Sequence, residues 1–199
     1  MAPVPRRRDP ERFEERRSAI LDAAAAEFAA SGYAAATTAS IHRRAGVSSG
    51  TLFHYFPTKL DLLVGVLEAG RSETERALAE ITERAAGMDA VLAYAAHLEA
   101  ELAAELYPGL VRAIGDVERL EPVREALAAE TAAIDDFLAQ HLAQALDADP
   151  TSCAGRARAI RWVLDGAAAD AVAAPVPTGL LVDAMRALLR GMGVPLPRF

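Results

Sequence analysis

The 199-residue chain is 52% hydrophobic with few aromatic residues, and it carries a formal net charge of −7. This apolar fraction excludes a disordered chain, and the single cysteine excludes an internal disulfide framework and a cysteine-based zinc cluster. We find neither an uncharged apolar stretch of membrane-spanning length nor a signal-peptide core, so we expect a soluble cytoplasmic protein with no membrane partner.

The charge is distributed unevenly along the chain. Residues 1–60 carry nine Lys or Arg against six Asp or Glu, a net of +3, whereas residues 61–199 carry twelve against twenty-two, a net of −10. A basic N-terminal module can meet phosphates while an acidic body stays clear of a duplex. The asymmetry therefore favours a nucleic-acid-binding module at the N-terminal end.

The chain begins with a proline-rich basic segment. Residues 1–10 contain three prolines and the run Arg6, Arg7 and Arg8, without apolar periodicity. We expect a mobile arm that contacts DNA, with a solvated tail as the alternative. An amphipathic helix follows from Pro10 to near Gly32, where glycine fits the helix-ending position.

Two short helices joined by a tight turn follow, over the stretch TTASIHRRAGVSSGTLFHYFPTK. Thr37 and Ser48 are placed to cap them, and Gly46 can supply a left-handed turn. The second helix is too short to be stable alone, so we expect a scaffold to hold it with Leu52 and Phe56 facing inward. Its outer face is small and polar. This arrangement is typical of a helix-turn-helix that binds DNA.

The run AGVSSGTLFHYFPTK, preceded by Ile41 and by Gly32 and Tyr33, resembles the signature of the TetR/AcrR family of transcriptional regulators over about residues 13–63. The resemblance implies an N-terminal three-helix DNA-binding module and a C-terminal helical domain that binds an effector and dimerises. It also implies a homodimer on palindromic double-stranded DNA, with a small-molecule effector and no cofactor or metal.

The candidate DNA-binding residues lie on the arm, on the two short helices and at the start of the next helix. They are Arg6, Arg7, Arg8, Thr37, Thr38, Arg43, Arg44, Ser48, Ser49, Gly50, Thr51, His54, Tyr55 and Lys59. Packing at a helix end is the alternative for His54 and Tyr55. Lys59 opposes the helix dipole, which favours a phosphate contact. Ser49 stands where many members of the resembled family carry Lys or Arg, so we expect more readout through backbone contacts and DNA shape.

Breaks in the helical pattern predict nine helices and no strand, an all-α fold. A long helix from Thr58 to Arg84 links the two modules. The later helices are predicted at about 88–106, from the Pro108–Gly109 break to 120, and at 122–146, 151–173 and 178–190. We expect an arm at 1–10, a helix-turn-helix domain at 11–60, an effector-binding and dimerisation domain at 61–193, and a tail at 194–199.

The resemblance implies a cavity between the middle helices of the body. Candidates to line it are Tyr94, His97, Leu98, Tyr107, Ile114, Phe137, His141 and Trp162, although each taken alone can equally be a core residue. A hydrophobic effector would suit so apolar a lining.

The last two long helices are rich in small residues, and the resemblance implies that they pair with those of a second subunit in a four-helix bundle. The candidates for this contact are Ala157, Ile160, Val163, Leu164, Ala167, Ala168, Ala171, Leu181, Met185, Leu188 and Leu189. Some of them must belong to the core of the chain itself.

No catalytic constellation is visible in the body. His97 and Glu101 are four residues apart on one helix and share a face, but a surface pair is the simpler interpretation than a base or half a metal site. Nucleophile elbows, Walker loops and dinucleotide fingerprints are missing. We therefore expect a non-enzymatic, ligand-responsive regulator, a repressor released by its effector. The alternatives are a helical enzyme or carrier without DNA binding, and a regulator controlled by a protein partner.

Overall fold

The computed structural model describes residues 10–194, and the basic arm with Arg6, Arg7 and Arg8 lies outside them, as does the segment 195–199. Between residues 10 and 194 the chain forms nine α-helices and no strand, which confirms the all-α prediction. They are α1 (Pro10–Ala35), α2 (Thr38–Arg44), α3 (Ser49–Tyr55), α4 (Lys59–Arg84), α5 (Gly87–Leu102), α6 (Tyr107–Gly115), α7 (Glu121–Leu146), α8 (Pro150–Asp170) and α9 (Leu180–Gly191). None of these described helices is long and apolar enough to cross a membrane.

Several helix boundaries differ from the prediction, among them those of α5 and α6. The chain was expected to break at Pro108, but α6 begins at Tyr107 with Pro108 in its first turn, where its missing N–H removes no helical hydrogen bond. Helix α5 ends at Leu102, earlier than predicted, because the following residues form a separate turn.

The N-terminal hydrophobic core includes residues from both predicted domains. Phe28 of α1, Ile41 of α2 and Leu52 of α3 are fully buried together with the first half of α4. Ala113 of α6 and Val123 of α7 belong to the same cluster. The predicted boundary after residue 60 therefore does not coincide with the division of the core, and α4, α6 and the start of α7 are packed directly against the N-terminal helices.

The second core lies between α5, α7, α8, α9 and the end of α4, and it corrects part of the predicted dimer surface. Seven of those residues are buried within the single chain, namely Ala157, Ile160, Leu164, Ala171, Leu181, Met185 and Leu189. Helices α8 and α9 use this apolar stripe to cover α5 and α7, so it is not available to a second subunit. Val163 is exposed, and Ala167, Ala168 and Leu188 are partly exposed.

A buried carboxylate fixes the start of α9. Glu99, in the middle of α5, accepts hydrogen bonds from the backbone N–H groups of Gly179 and, at 2.9 Å, Leu181. These amides belong to the first turn of α9, which has no side-chain cap of its own. Glu99 thus supplies the missing N-terminal cap from a distant helix.

Candidate nucleic-acid interface

The turn between α2 and α3 has the predicted local geometry. The Thr37 hydroxyl accepts a hydrogen bond from the Ser40 N–H at 3.1 Å, and the Ser48 hydroxyl accepts one from the Thr51 N–H at 3.0 Å. Gly46 has a φ of +66°, a left-handed conformation that favours glycine. The two predicted caps and the turn are therefore confirmed, and they fix the direction in which α3 leaves the turn.

Helix α3 has one buried face and one exposed face. Leu52 is fully buried and Phe56, just after the helix, is nearly so. Ser48, Ser49, Gly50 and His54 are exposed, and Thr51 is half-buried. A helix of barely two turns is therefore held from behind and presents small polar groups outward, which is the geometry a major groove admits.

The sequence interpretation missed one exposed residue of α3. Phe53 retains 43% of its surface and lies on the same side as Ser49 and Gly50. The run TLFHYF contains both inward-facing and outward-facing aromatic residues, and the residue type alone does not distinguish them. A helical projection of the run would have placed Phe53 beside Ser49 and Gly50 and away from Leu52.

Tyr55 is half-buried at the end of α3 and packs on α1. Its ring lies 4.5 Å from that of Phe13, and the neighbouring Phe56 ring is covered by the guanidinium of Arg17 at 5.7 Å. Packing therefore accounts for the placement of Tyr55. Its contact with a phosphate stays a prediction, as does that of the exposed His54, whose ring lies 5.8 Å from Tyr55.

Lys59 does not point its ammonium group at a free surface. The group donates to the carbonyls of Tyr33 at 2.8 Å, Ala34 at 3.2 Å and Ala36 at 3.1 Å, and it lies 4.5 Å from the centre of the Tyr33 ring. Three bonds use all three donors of an ammonium. The predicted phosphate contact is therefore corrected: the cation binds backbone carbonyls of the short segment that follows the break in α1 at Gly32.

The basic residues of α2 differ in their surroundings. Arg43 and Arg44 are both exposed, but the guanidinium of Arg44 lies 3.6 Å from the Glu27 carboxylate on α1. Glu27 also accepts a 2.6 Å hydrogen bond from the Ser40 hydroxyl. Arg43 therefore has the better position to meet a phosphate. The roles of Arg44 and of the half-buried Thr38 in DNA binding stay predictions.

In the body, the structure brings four of the predicted effector residues into one cluster. Tyr94, Leu98, Phe137 and His141 are buried together, with the Tyr94 and Phe137 rings 5.6 Å apart and the Phe137 and His141 rings 4.5 Å apart. Tyr107 packs against the same cluster.

Two other predicted effector residues lie elsewhere. Trp162 is on the outer face of α8 and 64% exposed, so it lines no interior cavity. Ile114 packs in the N-terminal cluster, because α6 packs along α1. Both assignments are corrected.

Polar groups gather beside the buried aromatic cluster. The Thr74 hydroxyl of α4 donates to the Glu130 carboxylate of α7 at 2.9 Å. Burial raises the pKa of the Glu130 carboxyl, raises the pKa of Tyr107 to about 12 and raises that of Tyr94 further. This region therefore favours uncharged forms that can donate hydrogen bonds.

A surface groove of about 270 Å³ lies between α4 and α5. It is lined by Glu73, Arg76, Ala77, Glu80, Ile81, Arg84, His97 and Glu101. The imidazole of His97 is 3.3 Å from the Glu101 carboxylate, with both side chains partly exposed, as expected of a surface pair. This lining is mostly charged and does not match the expected hydrophobic lining. Within residues 10–194 no group of His, Cys, Asp and Glu side chains could hold a metal ion.

Comparisons with known proteins bear on the N-terminal module above all. The HTH-type transcriptional repressor KstR of Mycolicibacterium smegmatis is 49% identical over 72 residues, which make up 36% of this chain and 33% of that protein. The HTH-type transcriptional regulator HbdR of Aromatoleum sp. is 36% identical over 98 residues, or 47% of this chain and 43% of that protein. The matched part therefore spans less than half the length of these relatives.

The whole chain is similar in fold to solved structures. A TetR-family transcriptional regulator from Streptomyces coelicolor superimposes with a TM-score of 0.75 at 21% identity, covering 89% of this chain and 94% of that one. Residues 20–66, which include α2, α3 and the turn between them, match the family described as bacterial regulatory proteins of the tetR family.

Proposed function

We propose that the chain is a dimeric transcriptional regulator of double-stranded DNA, on the premise that its residues 20–66 match the family described as bacterial regulatory proteins of the tetR family. One observation carries the proposal: α3 is buried on its Leu52 side and exposed on the side of Ser49 and Gly50. A helix held in this way can enter a major groove. We propose residues 11–60 as the DNA-binding domain and 61–193 as the effector-binding and dimerisation domain.

The residues around the turn divide into two proposed roles. Ser49 and Gly50 face base edges from α3, because they occupy its exposed face, and the exposed His54 meets a backbone phosphate. Arg43, beside the turn, meets a backbone phosphate. Phosphate contacts of this kind fix position and make binding depend on salt, whereas base contacts select the sequence.

The dimer surface is proposed on the outer sides of α8 and α9. Trp162 and Val163 on α8 and Leu180 on α9 retain 64%, 37% and 54% of their surface. They account for three of the six large apolar side chains that are exposed within residues 10–194. Small neighbours such as Gly166 and Ala184, both exposed, allow two helices to approach closely. A second copy of the chain is the occupant, since an isologous contact arranges two α3 helices for a palindromic operator.

Release of DNA is proposed to begin at the aromatic cluster of the body, where a small molecule contacts Tyr94 and Tyr107. Tyr107 opens α6, and Gly109 of the same helix lies directly on α1: a Cβ added there would be 2.4 Å from the Ala29 carbonyl oxygen. A displacement at Tyr107 would therefore act on the scaffold of α3. The effector shifts the equilibrium only through its differential affinity for the two arrangements.

The test of DNA binding is a selection from a pool of random duplexes, followed by affinity measurements at several salt concentrations. The proposal predicts enrichment of an inverted repeat bound by two chains, with affinity that falls steeply as salt rises. Enrichment of no sequence, or binding of one chain per duplex, would contradict it. KstR is named as a transcriptional repressor, and repression here is tested by a reporter placed behind the selected sequence.

A further inference from the structure

Phe53 is the exposed aromatic residue of the N-terminal module. Of the six large apolar side chains exposed within residues 10–194, three belong to the α8 and α9 surface, and Leu106 and Leu120 directly precede α6 and α7. Phe53 alone among them lies in the module that carries α3. A single exposed apolar residue is ordinary on a protein surface, so the exposure of Phe53 indicates a function only through its position.

That position is the centre of the exposed face of α3. Residues three and four apart on a helix are neighbours, so Phe53 shares one face with Gly50 and Ser49. Both neighbours are small, so the large phenyl ring extends beyond them. Leu52 is fully buried in the N-terminal core, and the buried Phe56 follows the helix directly, which prevents α3 from rotating to hide Phe53.

The chemistry of the major groove restricts what a phenyl ring can recognise. Each base pair presents hydrogen-bond donors and acceptors there, and the C5 methyl of thymine is the apolar group. A phenyl side chain forms no conventional hydrogen bond and therefore gains little from the other edges. Contact with a methyl removes apolar surface of both partners from water.

We propose that Phe53 is a specificity-determining residue that selects thymine by contacting its C5 methyl group in each half-site. The inference rests on the proposed function, because it requires α3 to lie in the major groove. The base preference is assigned to Phe53, because the neighbouring Ser49 and Gly50 are too short to extend far into the groove.

The test replaces every thymine of the selected duplex by uracil, which removes the methyl groups and leaves base pairing and phosphates unchanged. The wild-type protein should bind the uracil duplex about fourfold more weakly per half-site, and about fifteenfold for the dimer, if one methyl is buried in each. Phe53→Ala should bind the thymine duplex that much more weakly and should no longer distinguish the two duplexes. Phe53→Leu should keep part of the discrimination.

Two controls make the measurement decisive. An unselected duplex should show no thymine–uracil difference, which accounts for effects of uracil on DNA stiffness. Thermal unfolding of Phe53→Ala checks that the variant still folds cooperatively, since the residue retains 43% of its surface. The inference alone would be overturned if the wild type bound the thymine and uracil duplexes equally. It would also be overturned if Phe53→Ala kept the wild-type ratio of these two affinities. Failure of the wild type to enrich any duplex would overturn it together with the proposed function.

Discussion

The ammonium group of Lys59, the first residue of α4, donates a 2.8 Å hydrogen bond to the backbone carbonyl of Tyr33 near the end of α1. With two further carbonyl contacts, to Ala34 and Ala36, this single side chain joins the helix that follows α3 to the helix that supports it. The α2–α3 unit lies between these two attachment points along the chain. Its orientation therefore depends on Lys59 as well as on the apolar core.

Replacing Lys59 by Met should destabilise the fold. Three carbonyl groups would lose a charged donor, and we expect the free energy of unfolding to fall by about 2 kcal/mol, since a hydrogen bond to a charged group contributes roughly 1.5–3 kcal/mol. Urea unfolding measures the effect. Lys59→Arg, which keeps the charge, should lose less. If Lys59→Met is as stable as the wild type but has lost DNA affinity, Lys59 acts as a phosphate contact instead.

Gly109 and Gly115 form a matched pair on α6. A Cβ at Gly109 would meet the Ala29 carbonyl, whereas a Cβ at Gly115 would have nothing within 4 Å. Gly109→Ala should therefore cost about 1–3 kcal/mol by overpacking. Gly115→Ala should be neutral or stabilising by up to about 1 kcal/mol, through helix propensity.

The same pair tests the coupling between the body and the N-terminal module. Because Gly109 touches α1, its substitution should also change DNA affinity, and Gly115→Ala should not. Fluorescence anisotropy with the selected duplex measures this difference. If both variants bind as the wild type does, α6 does not act on the scaffold of α3.

The buried imidazole of His141 should make the stability of the fold depend on pH. The imidazole is buried, with Nε2 3.2 Å from the Thr82 hydroxyl and Nδ1 3.0 Å from the Gln144 side-chain oxygen, and burial lowers its pKa below 6.5. The unfolded chain then binds more protons than the folded chain between the lowered pKa and 6.5. Stability from this group is fully present above pH 6.5 and falls as the pH drops toward the folded-state pKa, by at most about 1.4 kcal/mol per pH unit.

Urea unfolding at pH 7.5 and 5.5 measures this dependence. The wild type should lose stability between the two values, and His141→Gln should lose less. An equal loss in the wild type and His141→Gln would assign the pH dependence to other groups.

Trp162 tests the dimer surface. Replacing a central interface aromatic typically costs at least 2 kcal/mol, so Trp162→Glu should raise the dissociation constant of the dimer about thirtyfold or more. Sedimentation equilibrium measures the monomer fraction. Ala128→Glu, an exposed change on α7 with the same charge and with Arg124 one turn before it, should leave the dimer intact. A stable Trp162→Glu dimer would place the interface elsewhere.

The local features of the interface could be predicted from the sequence, because their causes lie within a few residues. Thr37 and Ser48 each cap a helix through an amide three residues later, and Gly46 adopts the left-handed turn by itself. The role of Lys59 could not be predicted, because its carbonyl partners lie more than twenty residues earlier. Its unfavourable place in the first turn of α4 predicts a phosphate contact, whereas the structure places its ammonium on backbone carbonyls.

The sequence also did not predict which face of α8 is buried and which is exposed. Its apolar and small residues surround the whole helix, so periodicity did not separate the inner Ile160 and Leu164 from the outer Trp162 and Val163. Only packing against α5 and α7 decides which stripe is covered by the chain itself. Ile114 was predicted to line the effector cavity but lies in the N-terminal core. Helix α6 contributes residues to both cores, and the sequence pattern does not show which residue belongs to which.

The measurement that tests the central account most directly is the affinity of Ser49→Glu for the selected duplex. Ser49 is exposed in the first turn of α3, where an acidic side chain is compatible with the helix dipole, so stability should be unchanged. We predict that DNA affinity falls at least tenfold, because a carboxylate would face the phosphate-lined groove, while Ala128→Glu binds as the wild type does. Equal affinity of Ser49→Glu and Ala128→Glu would contradict the placement of α3 against DNA.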